Sequence, residues 1–302
     1  MPVYVLDTIT KVINSPPGQL VAGCVLGGIV WKSFEKWESV ASESDKIQVW
    51  IWLAEPRTAK SIERWPETFA RMFDRVFGTK HLSWKCFLRS TVASFIAMGI
   101  TLLVTFAIHD RNWYVAKSII HEGRFWFFVI ILVANVIPDY FSLLETRFVL
   151  RFAQGSSALN KTAVLLLDFI ITLWIALISV SLGVSTVLAS TANGLVVSAL
   201  LSPRVLLSAV NPLELYLSAR ILNEPGVAPL WFYPAFFTSI WLWLYAGSGF
   251  ILKAARKFDI GFDWFSRHFD IEKKPLQSIG LVAGAIVAVV YWAVVVVHHF
   301  VG

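Results

Sequence analysis

"FWFFVIILVANVIPDYFSLLETRFVLRF", residues 125–152, decides the fold through two features, a long apolar run and a few polar residues within it. Its first ten residues are apolar, and the run from Phe125 to Leu144 carries one charge, on Asp139. A helix of about twenty residues rises roughly 30 Å, the thickness of a bilayer's hydrocarbon core. Asn135, Pro138 and Asp139 place polar groups and a helix breaker inside this run. The stretch therefore predicts a membrane-spanning helix whose polar end is either a working site or the point where the helix reaches the interface.

The rest of the chain has the same character. Its 302 residues have a mean hydropathy of +0.66, with 57% hydrophobic and only 15% charged residues, which excludes an ordinary soluble protein. Alternating strand patterns are absent, so helices must satisfy the backbone in lipid. The sequence predicts an all-α, polytopic transmembrane helical bundle, a single integral membrane domain over residues 1–302. Six spans are predicted, at 14–31, 90–109, 125–144, 162–189, 231–252 and 279–300. The first is short and begins with Pro16-Pro17-Gly18, so it is either a helix that crosses the membrane or a re-entrant segment that returns to the same side.

The positive charges predict the orientation. With six spans, 20 of the 26 Lys and Arg residues lie on one side, which the positive-inside rule makes cytoplasmic. Eleven of them lie in segment 32–89, which is predicted to be interfacial. Because the charges flank apolar spans, the net charge of +6 indicates anionic lipids at the cytoplasmic face as partners, and no nucleic acid.

Part of this segment predicts an amphipathic helix. In "SIERWPETFARMFDRVFG", residues 61–78, apolar residues recur every three or four positions, and arginines occupy the other side. Such a helix either packs on the inner end of the bundle or forms a docking surface for a partner or for anionic lipid. The candidate surface residues are Arg64, Trp65, Arg71 and Arg75.

Polar residues in the third and fourth spans form a candidate intramembrane network. Asp139 and Asp168 are predicted at similar depth, and an ionised group within a span costs about 2.5–3.5 kcal/mol, so each requires an explanation. Three readings remain open: structural pairing with arginines, a path for ions or protons, and an aspartyl dyad. The candidate residues are Asn135, Asp139, Arg147, Arg151, Asp168, Thr172, Ser179 and Arg89.

Small residues in two other spans predict close helix contacts. Gly23 and Gly27 in the first span, and Gly280, Gly284 and Ala288 in the last, are spaced four residues apart. Such ridges let helix backbones approach closely in lipid. They predict tight helix pairs, either within one chain or between copies.

The motifs of membrane enzymes are not matched. "PDY" and "LLLDF" differ from intramembrane aspartyl protease motifs, and Ser248 is predicted at the opposite membrane face from His298 and His299. No His-x-x-x-His or Cys-x-x-Cys pattern occurs. We therefore expect no enzyme activity and assign no catalytic, cofactor-binding or metal-binding residue.

Three runs carry a resemblance to a known group of proteins. "FDRVFGTKHLSWKCFLRS", "NVIPDYFSLLETRF" and "FDIEKKPLQSIG" resemble an uncharacterised family of bacterial multi-span inner-membrane proteins. The resemblance implies a bacterial inner (plasma) membrane and implies nothing about activity. We expect a non-enzymatic membrane component that acts through lipid, a protein partner or a second copy of itself. The alternative is a channel or secondary carrier with a polar path between the third and fourth spans.

Overall fold

The computed structural model describes residues 15–54, 65–80, 82–108, 125–154, 163–179, 236–258, 265–266 and 269–301. Within these ranges it describes only the backbone of 102–108, 125–134, 237–238, 298–299 and 301. The described residues form eight helices and no strand, which confirms the all-α class for this part of the chain. The helices are α1 (Pro16–Val40), α2 (Glu43–Ala54), α3 (Trp65–Phe77), α4 (Trp84–Ile108), α5 (Phe125–Ala153), α6 (Ala163–Ser179), α7 (Phe237–Lys257) and α8 (Pro275–Val301).

One helix of the described part is both long and apolar enough to cross a membrane. Residues Pro275–Val297 of α8 have a mean hydropathy of 2.6, and only 33% of the most apolar window is buried. The six-span bundle is thus not confirmed. α1 has 25 residues, but its second half carries Lys32, Glu35, Lys36 and Glu38. α6 is shorter, and residues 180–189 of the predicted fourth span lie outside the described residues.

α1 and α5 each continue nine residues beyond the end of their predicted spans. α1 begins at Pro16, where the Ser15 hydroxyl accepts a hydrogen bond from the amide of Gly18, and it continues nine residues past Trp31 to Val40. The start of the predicted interfacial segment 32–89 is therefore a continuation of α1, because no helix breaker separates the two. α5 similarly continues through Pro138 to Ala153.

The chain divides into two compact units. The first contains residues 1–79, 147–165 and 240–302, and the second contains 80–146 and 166–239. α5 contributes residues to both units. The single domain over residues 1–302 remains a prediction.

In the first unit, α1 and α8 form an antiparallel pair joined at glycines. A Cβ atom on Gly27 would lie 2.6 Å from the carbonyl oxygen of Gly284, so the two backbones are in direct contact. Toward one end Gly23 faces Trp292, and toward the other Gly280 faces Phe34. The predicted small-residue ridges are confirmed as a tight helix pair within one chain.

Aromatic rings fill the core of the first unit. Trp52 of α2 stacks on Tyr245 of α7, with ring centroids 5.3 Å apart and planes 24° apart, and Gly249 leaves room for the Trp52 ring. α3 contributes the buried rings of Trp65, Phe69, Phe73 and Phe77. The helix is followed by Gly78, whose φ of +91° favours glycine. The ring cluster comprises Phe34, Trp37, Trp52, Trp65, Phe69, Phe73, Phe77, Trp241, Tyr245 and Phe250. The apolar face of the predicted amphipathic helix therefore packs against the aromatic core of the first unit.

A carboxylate of α1 caps the start of α8. The Glu38 Oε2 atom accepts hydrogen bonds from the amides of Leu276 (2.7 Å) and Gln277 (3.1 Å). A carboxylate is favoured here because the first amides of a helix lack intrahelical partners and carry partial positive charge. Burial raises the pKa of Glu38, and the two amides and Lys46 partly oppose that shift.

Candidate functional site

A buried polar stripe runs along α5 in the second unit. Asn135, Asp139, Ser142 and Thr146 are spaced four, three and four residues apart, which places them on one face of the helix. None of the four is more than 1% exposed. The sequence reading identified the first two of these residues and missed Ser142 and Thr146.

α6 presents a second polar stripe. Asp168, Thr172 and Ser179 are all fully buried, as the candidate network requires. The hydroxyl of Ser179 donates to the carbonyl oxygen of Ile175 at 2.8 Å, so its proton is engaged within its own helix. Asp168 and Thr172 are the members of this stripe that interact with other helices.

Four hydroxyl groups meet at Ser239, in the first turn of α7. The Ser239 Oγ atom lies 2.8 Å from Thr172 Oγ1 and 3.2 Å from both Ser142 Oγ and Thr146 Oγ1. All four side chains are fully buried. Because a hydroxyl both donates and accepts, these residues form a continuous hydrogen-bonded chain, here called the hydroxyl cluster.

Two carboxyl groups lie together beside the hydroxyl cluster. The carboxyl group of Glu145 interacts electrostatically with that of Asp168, although neither oxygen of Glu145 has a hydrogen-bond partner among the described residues. Glu145 is half-buried and Asp168 is fully buried. Two neighbouring carboxylates repel each other when both are ionised, so simultaneous ionisation of Glu145 and Asp168 is disfavoured. Glu145 was missed because it follows the predicted end of the third span.

Asp139 forms a second acidic position on α5. Its side chain is 1% exposed, and neither carboxyl oxygen has a hydrogen-bond partner within the described ranges. Ser94 of α4 is close enough to affect Asp139 electrostatically, but its hydroxyl donates to the carbonyl oxygen of Ser90 at 3.1 Å. One turn earlier, the amide of Asn135 donates to the sulfur of Met98 at 3.4 Å.

The three arginines of the candidate network, Arg147, Arg151 and Arg89, lie in different environments. In the first unit, Arg147 lies 3.3 Å from the Asp74 carboxylate and donates to the carbonyl oxygens of Gly78 and Thr79, at the carboxyl end of α3. Arg151 is exposed and acts on Asp74 at longer range; burial raises the pKa of Asp74, and both guanidinium groups oppose the shift. Arg89, in the second unit, is exposed. Pairing of these arginines with Asp139 or Asp168 remains a prediction.

The candidate surface on α3 is largely engaged within the first unit. Trp65 is 2% exposed and lies in the aromatic core rather than on a surface. Arg71 and Arg75 each bind one oxygen of the Asp45 carboxylate at 2.7 Å. Arg64 lies outside the described residues. Arg71 and Arg75 are therefore structural partners of α2, although both side chains remain partly exposed.

Ser42 and the two arginines determine the ionisation of Asp45. Burial alone would raise the pKa of this carboxyl group, but the hydrogen bond from Ser42 and the two guanidinium groups outweigh burial and hold the pKa below its ordinary value. The stabilisation that these contacts provide is therefore present above about pH 4, the pKa of an unfolded aspartate, and is lost as the pH falls through the lower pKa of the folded state.

Asp45→Asn should lower the free energy of unfolding at pH 7 by about 2 kcal/mol, since it leaves two guanidinium groups without their carboxylate but near water. The difference from wild type should shrink below about pH 4. Thermal unfolding of both proteins between pH 3 and pH 7 measures this. Glu43→Gln, at an exposed position of the same helix, serves as the control. A difference that stays constant with pH would contradict the assignment.

Comparisons with other proteins complete the description of the site. The described residues contain no group of three or more His, Cys, Asp and Glu residues that could hold a metal ion. The chain matches no known family, no curated protein and no solved structure.

Proposed function

We propose that the protein is an integral membrane protein whose second unit provides a path for a small cation. The observation that carries this proposal is the Glu145–Asp168 pair, which lies against the hydroxyl cluster within a buried, polar part of the unit. Ionisable groups in membrane helices are costly, and they commonly mark ion or proton pathways.

Exposed apolar surface supports the membrane location. On α1, Leu20, Val21, Val25 and Ile29 are 40–61% exposed, and on α8, Val289, Val290, Val294, Val296 and Val297 are 49–58% exposed. In water this surface would be unfavourable at about 25 cal/mol per Å². Because α1 runs antiparallel to α8 along the glycine contact, we propose that both helices cross the bilayer and that the first span does not re-enter.

The surroundings of the acids favour a path over purely structural ion pairing. Structural ion pairing of Glu145 or Asp139 would place a cation beside that carboxylate. Instead, Glu145 lies beside another acid, and Asp139 has no hydrogen-bond partner in the described part of the chain. A partner-binding or lipid-binding component was the leading expectation from sequence, but its candidate residue Trp65 is buried and Arg71 and Arg75 bind Asp45.

We further propose, as the resemblance implies, that the protein resides in a bacterial inner membrane. The Lys- and Arg-rich segments would then face the cytoplasm. The exposed portions of Arg71 and Arg75 are suited to contact anionic lipid headgroups there.

Ion movement in liposomes tests the proposed path. The purified full-length protein is reconstituted, gradients of Na⁺, K⁺ and H⁺ are imposed separately, and the membrane potential is followed with a voltage-sensitive dye. We expect at least one gradient to drive charge across the membrane, and Asp168→Asn to reduce that movement by about tenfold or more.

Glu43→Gln is the matched control, since it removes an exposed carboxylate far along the chain from the polar stripes. It should conduct as wild type does. No charge movement by folded wild-type protein, or equal movement by folded Asp168→Asn, would reject the path.

A further inference from the structure

We infer that a cavity of the first unit binds the headgroup of a phospholipid that carries a phosphate and a primary ammonium group. This inference rests on the proposed membrane location and concerns a site that shares no residue with the polar stripes of the second unit. The cavity has a volume of about 230 Å³, and its walls come from α2, the end of α7 and the segment that precedes α8. It is here called the headgroup cavity.

The size and the apolar wall of the headgroup cavity suit a small group attached to a lipid. Pockets for drug-sized ligands have roughly 300–1,000 Å³, so a cavity of about 230 Å³ takes a smaller group. Trp50, Leu53 and Ile271 form its apolar wall. Such a wall can pack against the carbon atoms of a headgroup while charged residues bind its polar ends.

Arg256 provides the positive charge of the headgroup cavity. It lies near the end of α7 and is exposed, with its Nη1 atom 3.5 Å from the carbonyl oxygen of Leu53. A guanidinium group has five N–H donors, and two of them can bind a phosphate side by side. Arg256 can therefore bind the phosphate of a headgroup while it keeps its contact with Leu53.

Two acidic residues, Asp270 and Glu272, also line the headgroup cavity. The carboxylate of Asp270 pairs with Lys273, with 3.0 Å between the charged atoms, so its charge is largely balanced. The exposed carboxylate of Glu272 forms no ion pair with a described residue. It can accept hydrogen bonds from a primary ammonium group, which has three N–H donors, whereas a quaternary ammonium group has none to donate. Charges of both signs thus favour a zwitterionic headgroup over an anionic one.

The position of the headgroup cavity along the chain favours a lipid over a free molecule. Glu272 precedes Pro275, where the apolar stretch of α8 begins, by three residues. Arg256 and Lys257 form the charged end of α7, and Phe258, which follows them, is 64% exposed. In the proposed membrane these residues lie at the level of the headgroups, where charged and aromatic side chains are favoured. A headgroup can therefore enter the cavity while its acyl chains remain in the bilayer.

Lipid binding by the purified full-length protein tests the headgroup cavity. The protein in detergent is titrated with phosphatidylethanolamine, phosphatidylcholine or phosphatidylglycerol, and native mass spectrometry measures the bound lipid. We expect phosphatidylethanolamine to bind about tenfold more tightly than the other two, which lack the N–H donors or the positive charge that Glu272 would bind. Arg256→Gln should weaken this binding about tenfold, and Glu272→Gln should remove the preference over phosphatidylcholine.

Lys257→Gln is the matched control, because it removes the neighbouring cation, which lies over the ring of Phe258 and does not line the cavity. It should bind phosphatidylethanolamine as wild type does. If Arg256→Gln does not fold, Ala54→Leu provides the second test. Ala54 lines the cavity, so the larger side chain would fill part of it without removing a charge, and the same loss is expected.

Soluble glycerophosphoethanolamine carries the same charged groups without acyl chains and should bind at least tenfold more weakly than the lipid. Equally tight binding of this molecule would overturn the lipid assignment. Equal affinity for the three lipids, a preference for phosphatidylglycerol, or unchanged binding by folded Arg256→Gln and Glu272→Gln would overturn the inference. None of these measurements depends on ion movement, so a failed test of the proposed path would reject that path and leave the headgroup cavity in place.

Discussion

Gly284→Ala should destabilise the protein by about 3 kcal/mol, the upper part of the range for overpacking. The new Cβ atom would meet the carbonyl oxygen of Gly27, which belongs to a backbone and cannot rotate away as a side chain can. The α1–α8 pair would have to separate, and its remaining contacts would weaken together. The reciprocal change, Gly27→Ala, should have a similar effect.

Gly28→Ala is the matched control, since a Cβ atom on Gly28 would have no heavy atom within 4 Å. Alanine is favoured over glycine within a helix by about 0.5–1 kcal/mol, so this variant should be as stable as wild type or slightly more stable. Thermal unfolding in detergent, performed in parallel, provides the comparison. Equal midpoints for Gly284→Ala and Gly28→Ala would show that the glycine contact is absent.

Gly249→Ala should have an effect of similar size, also about 3 kcal/mol, but through an aromatic ring. A Cβ atom on Gly249 would fall within the ring of Trp52, which is held between α2 and α7 and stacked on Tyr245. The ring would have to leave that stack. Gly247→Ala, two residues earlier in an open position, should have little effect.

A double-mutant cycle tests whether the Trp52 ring causes the destabilisation expected for Gly249→Ala. Trp52→Leu alone should cost about 3 kcal/mol from lost packing. In the double variant with Gly249→Ala the clashing ring is gone, so the total loss should fall short of the sum by about 1 kcal/mol or more. Strictly additive losses, measured by chemical unfolding of all four proteins, would exclude the predicted clash.

Local patterns predicted the parts of the fold that depend on helix periodicity. The glycine ridges of α1 and α8 and the buried face of α3 follow from spacings of three and four residues, because such residues share one helix face. The helix ends were less predictable. Charge was taken to end a span, yet α1 continues through Lys32 to Val40, and α5 continues past Glu145.

Contacts between distant segments could not be predicted from one sequence. Glu38 caps a helix that begins more than two hundred residues later, and Asp45 binds arginines of another helix. Ser239 lies in the predicted fifth span, and no local spacing relates it to Thr172 or Ser142. Asp139 and Asp168 were identified because an acid within an apolar run is conspicuous, whereas the hydroxyl groups that join the site are common in membrane helices.

The reactivity of Cys24 tests most directly whether hydrocarbon surrounds α1 and α8. This native thiol is exposed on α1 next to Val25, whereas Cys86 is buried and can be replaced by alanine to leave one thiol. A water-soluble maleimide reacts with the thiolate, which forms in water. In liposomes Cys24 should remain unlabelled until the protein is unfolded, while a cysteine introduced at the exposed position Glu43 should react at once. Equal labelling of both positions in the folded protein would contradict the membrane assignment.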